Sequence, residues 1–99
     1  MLHERREMIR KKTIHRRLLE LGFKLLDTSH RHKFYSRIEK SGTRIDVSVY
    51  RTTLFMTHVY ISTRTSDGVK ISSRFANLTD KTSLSVIDKA ISAEEMLIV

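Results

Sequence analysis

Between residues 33 and 75 the apolar positions of this chain recur at every second residue; on either side they recur at every third or fourth. A strand points successive side chains to opposite faces, whereas a helix brings one face round every 3.6 residues, so a change of period marks a change of element. Phe34, Ser36 and Ile38 alternate with Lys33, Tyr35 and Arg37. After a Lys40-Ser41-Gly42 turn, Ile45, Val47 and Val49 alternate with Arg44, Asp46, Ser48 and Tyr50. Residues 54–64 set Phe55, Val59 and Ile61 on one face and Met56, His58, Tyr60, Ser62 and Arg64 on the other. The Asp67-Gly68 pair supplies the positive φ of a hairpin turn, and beyond it Val69, Ile71 and Phe75 alternate with Lys70, Ser72 and Arg74. The pattern predicts an antiparallel meander with one buried face.

The flanks read as helices. Ile14, Leu18 and Leu21 follow Thr13 at helical spacing, with Thr13 as the cap and Gly22 where a left-handed C-terminal residue belongs, which predicts a helix over about 13–21. Leu84, Ile87 and Ile91, backed by Val86 and Ala90, predict a second helix capped by Thr79, Asp80 or Thr82. Ser92 and Glu95 have capping-box spacing, so this helix is expected to break there and a short turn to carry Met96, Leu97, Ile98 and Val99 onto the core or onto a second copy, as a homodimer. The fold class is α+β, a single antiparallel four- to five-stranded meander sheet packed on an N-terminal and a C-terminal helix. One domain spans 1–99, with 1–12 a basic arm or frayed helix.

Charge is distributed unevenly along this frame. Residues 1–40 hold twelve of the nineteen Lys and Arg against five of the eleven acids. A one-signed surface concentrates polyanions, and phosphate backbones are the commonest of these. The cluster Arg5, Arg6, Arg10, Lys11, Lys12, Arg16 and Arg17 is read as a salt-sensitive phosphate handle. The alternation sorts further cations, with all three tyrosines, onto the face opposite the four Phe. Arg31, Lys33, Tyr35, Arg37, Arg44, Tyr50, His58, Tyr60, Arg64, Lys70 and Arg74 are therefore the expected nucleic-acid contacts, cations for phosphates and rings for unpaired bases. The bland alternative is a solvated strand face, on which tyrosine is ordinary.

Other chemistry is thinly signalled. With no cysteine there is neither a disulfide nor a thiolate metal site. His30 and His32 share a strand face but lack a third ligand at motif spacing, so no metal and no cofactor are expected. The longest apolar run is Met96–Val99 and no apolar stretch follows the charged N-terminus, so a cytoplasmic protein with no membrane partner is expected.

The segment Ile14–Arg51, with IHRRLLELGF, SHRHKFY, a Gly42 turn and TRIDVSVYR, resembles the small HicA-type toxins of double-stranded-RNA-binding-like α-β-β-β-α fold. Thr28-Ser29 stands where that family has Gly-Ser, and residues 54–64 add a strand. The resemblance implies RNA binding and RNA cleavage, with His30 or His32 as general acid/base on a ribose 2′-hydroxyl and Arg31, Lys33 or Arg44 steadying the phosphate. Three expectations follow. The first is a small basic nucleic-acid-binding protein, RNA slightly ahead of DNA. The others are a HicA-like endoribonuclease, and a phage or mobile-element regulator or inhibitor that binds an acidic protein.

Overall fold

Helix gives way to strand at Gly22. In a computed structural model, which describes residues 13–53, 56–79, 82 and 84–98, residues 13–20 are helical (α1). Gly22 takes φ of +90°. Its N–H donates to the carbonyl of Leu19 and the N–H of Phe23 to that of Leu18, each at 3.0 Å. These two bonds make a Schellman cap, and the apolar contact that accompanies one is present, since Phe23 and Leu18 are both in the core. A side chain at Gly22 would be strained at that φ, and its Cβ would lie 3.3 Å from Cδ of Arg37.

Five strands follow: β1 (Lys24–Thr28), β2 (His32–Ile38), β3 (Arg44–Thr53), β4 (Met56–Arg64) and β5 (Lys70–Leu78), then α2 (Ser85–Glu95). The sheet order is β1-β2-β3-β4-β5, and each neighbouring pair is antiparallel. This is the expected α+β meander with a helix at each end. β1 is the strand that alternation does not show: its five residues are all exposed. It forms a sheet edge broken by a bulge between Leu25 and Asp27, a device that discourages pairing with another chain.

Both helices pack on one face. Ile14 and Leu18 of α1 and Ile87 and Ile91 of α2 meet Tyr35, Ile45, Val47, Val59, Ile61, Ala76 and Leu78. Arg17 joins the helices through Asp88, its Nε and Nη2 donating to the two carboxylate oxygens at 2.9 and 3.1 Å.

Four expectations are corrected. Strand β2 lies the other way up: Tyr35 is 1% exposed in the core, and Phe34 sits on the opposite face, in register with Ser48. A bulge between β4 and β5, where Thr63 pairs Ser72 but Arg64 pairs Lys70, reverses the phase of β5. Ser72, Arg74, Ala76 and Leu78 therefore face the helices while Phe75 faces away, 74% exposed. Neither predicted break nor cap appears in α2, which runs through Ser92 with no side-chain hydrogen bond at Leu84. Thr82 instead accepts the N–H of Thr79, and Asp80 lies outside the described residues. Residue 13 is already helical, so Thr13 is not a cap. At the C-terminus Ile98 packs on the chain's own core while Met96 and Leu97 stay exposed; Val99, like Phe55, is outside the described residues.

Candidate functional site

On the helix-covered face Arg37 and Arg74 hold the fold together. Arg37, on β2, donates Nη1 to the Leu21 carbonyl at the end of α1 (2.7 Å), Nη2 to Glu95 of α2 (2.7 Å) and Nε to Glu39 (2.8 Å). Its guanidinium also lies 4.8 Å from the centre of the Phe23 ring. Burial disfavours its charge, but the bonds to Glu95 and Glu39 outweigh that and raise its pKa. Arg74 and Ser72 both donate to Oε2 of the fully buried Glu94, at 3.1 and 3.0 Å. Tyr35 bonds Nδ1 of His15 through its hydroxyl at 2.8 Å, and burial raises its pKa. Expected as nucleic-acid contacts, Tyr35, Arg37 and Arg74 hold helices to sheet instead.

No described helix packs on the other face, and its cross-strand rows divide it into zones. One row is His32, Tyr50, His58 and Asn77, and the next Phe34, Ser48, Tyr60 and Phe75. The rings interact: His32 stacks on Tyr50 at 4.4 Å, Tyr60 meets Phe75 at 4.7 Å, and His58 hydrogen-bonds Asn77. Tyr50 and Phe75 stay exposed, and with Thr52, His58 and Asn77 they line a shallow depression of about 440 Å³. The third row, Ser36, Asp46, Ser62 and Ser73, is small and polar. The fourth carries Arg44, Arg64 and Lys70 beside Ile38. Asp46 binds Arg44 at 2.9 Å and lies 3.8 Å from Arg64, so these two cations share one carboxylate, while Lys70 donates to the Tyr60 hydroxyl at 3.3 Å. Bonds from Ser73 and Lys70 lower the pKa of the Tyr60 hydroxyl.

A second concavity, of about 90 Å³, opens where β1 turns into β2, over Ile14 of α1, Tyr35 and Val49 of the helix-covered face. Both histidines singled out in the sequence, His30 and His32, line it with Arg31, Lys33 and Arg51.

The predicted residues thus separate. Tyr50, His58, Tyr60, Arg44, Arg64 and Lys70 share the open face, and Arg31 and Lys33 join His30 and His32 at the pocket. Arg16 is exposed on α1, Arg17 is spent on Asp88 and Glu20, and Arg5, Arg6, Arg10, Lys11 and Lys12 lie outside the described residues. The sequence reading missed Phe34, Phe75, Asn77 and Arg51. Ala76 and Leu78 hold the signal for Phe75: two apolar residues of one parity at the end of β5 require the intervening parity to face out.

No described helix is long and apolar enough to cross a membrane, and the described residues hold no cluster of three potential metal ligands. No family model, no curated protein and no solved structure matches this chain.

Proposed function

We propose that the open sheet face binds single-stranded RNA, stacking unpaired bases at its aromatic end and pairing phosphates at its cationic end. The depression between the exposed rings of Tyr50 and Phe75 carries this reading. Large exposed aromatics on a solvent-facing sheet leave apolar area in water that a partner would bury, and a base supplies a matching π-face whatever its identity. Arg44, Arg64 and Lys70, two rows away, give the backbone a positive track. A single strand suits the site better than a duplex, whose bases are not presented face-on.

Filter binding with ribo- and deoxyribo-oligonucleotides over a salt series tests it. The expected complex weakens with a log–log slope of about −0.7 per phosphate neutralised. Phe75→Ala weakens it by about 1–3 kcal/mol per base unstacked, with the slope unchanged. Absence of any salt-sensitive complex at micromolar protein overturns the reading. A stoichiometric protein partner that survives nuclease treatment would favour the acidic-protein alternative instead.

A second reading, an endoribonuclease, is favoured by one observation: His30 and His32 line the same pocket as Arg31 and Lys33. An imidazole beside fixed cations is suited to proton transfer next to a phosphate. RNA left equally intact by the natural protein and by the His30→Ala/His32→Ala variant removes it.

A further inference from the structure

The basic pocket and the aromatic depression share a wall. His32 lines the pocket, Tyr50 lines the depression, and their rings stack with an interplanar angle of 18°. On the pocket side Arg31 and Lys33 bring two positive charges to the rim of a floor made by Ile14, Tyr35 and Val49, and none of the described lining residues is acidic. Arg31 and Lys33 form no ion pair with a described residue, unlike Arg37 and Arg74 on the same sheet. Nε2 of His32 is buried with no hydrogen-bond partner among the described residues. The ring is thus held in the wall between the two concavities by its stack on Tyr50. The pocket's 90 Å³ is several times the roughly 10–15 Å³ that one water needs on the same measure.

We infer that this pocket holds the terminal phosphate of an RNA strand whose end base stacks in the depression beyond the His32–Tyr50 wall. The inference rests on the RNA-binding reading and adds the end group. A phosphomonoester carries about −1.5 to −2 charges near neutral pH, more than a backbone diester, so the unpaired pair Arg31 and Lys33 favours it. It also presents three acceptor oxygens and only one continuing bond. An internal phosphate would have to thread both flanking sugars through a cavity of about 90 Å³.

The test uses the full chain and one short oligoribonucleotide prepared with a 5′-phosphate, a 3′-phosphate, or hydroxyls at both ends. One phosphorylated form is expected to bind about tenfold tighter than the hydroxyl form, the loss of one charge-assisted contact set. Arg31→Ala/Lys33→Ala should erase that preference, while Phe75→Ala should weaken all three forms and keep it. Arg31 and Lys33 are exposed, so the double variant is expected to fold; should it not, the comparison of ends on the natural protein decides alone. Equal, salt-sensitive binding of the three forms overturns the terminal-phosphate site and leaves RNA binding standing. If no form binds, both fall. Shortening of the oligonucleotide during the assay would make the pocket a cleavage site and overturn its assignment as a phosphate holder.

Discussion

The two faces of this sheet draw on similar residues and use them in opposite ways. Under the helices, Arg37 and Arg74 point their charges at Glu39, Glu95 and Glu94, and the one aromatic of the central strands, Tyr35, gives its hydroxyl to His15. On the open face the rings of Tyr50 and Phe75 remain in solvent, and Arg44 and Arg64 share one carboxylate while Lys70 reaches the Tyr60 hydroxyl. A count of cations or aromatics cannot tell these roles apart. What separates them is whether a helix stands opposite: a charge covered by a helix must be paired or its desolvation goes uncompensated, and a charge facing water need not be.

The contrast can be broken by mutation. Ile61, fully buried under the helices, should on change to Ala lose about 2–5 kcal/mol of stability by urea unfolding. Phe75→Ala, one register step away on β5 and on the other face, should stay within about 0.5 kcal/mol, as surface changes do. Equal losses would make the open face structural. Next in size, Arg74→Ala should cost about 2 kcal/mol. It strands the buried Glu94 carboxylate, and a half-exposed arginine contributes less than the partner in a wholly buried pair. Adding Glu94→Leu should restore most of the loss; a double variant no better than the single would show that Arg74 acts otherwise.

Of the changes under the helices, Tyr35→Phe should have the smallest effect, about 1 kcal/mol for the lost bond to His15. It also carries a pH signature. Burial raises Tyr35 above its ordinary 10.0, so the unfolded chain ionises first. The stability it contributes is whole below pH 10.0 and is lost as pH rises through the raised folded value. Tyr60 is lowered and so works with the opposite sign, which makes a Tyr60→Phe background the clean place to measure. There, Tyr35→Phe should flatten the alkaline loss of stability; an unchanged pH profile would contradict the burial argument.

Where alternation pairs strongly apolar with polar residues, it reads the fold correctly. Ile45, Val47, Val59 and Ile61 are buried as expected, with Tyr50, His58 and Tyr60 across from them. It misreads β2, because Phe34-Tyr35 offers an aromatic to either face and apolarity alone puts Phe34 inward. Only the hydrogen bond that His15 offers from α1 makes the tyrosine the better core residue. It misreads β5, because one bulged residue inverts every later side chain. The pocket was half legible: His30, Arg31, His32 and Lys33 are contiguous, but Arg51 joins them through the register of β3, where its N–H bonds the Arg31 carbonyl at 2.9 Å.

From residue order alone came the classes of element, the meander, the turns at Gly22, Gly42 and Gly68, and the basic character of the chain, since each rests on local periodicity, backbone sterics or composition. Only the packed molecule decided which cations are spent inside the fold, which rings face water, and that two concavities meet at His32 and Tyr50. Those outcomes depend on what stands opposite a side chain, and the neighbours concerned are brought there by strand register, a bulge and the seating of two helices.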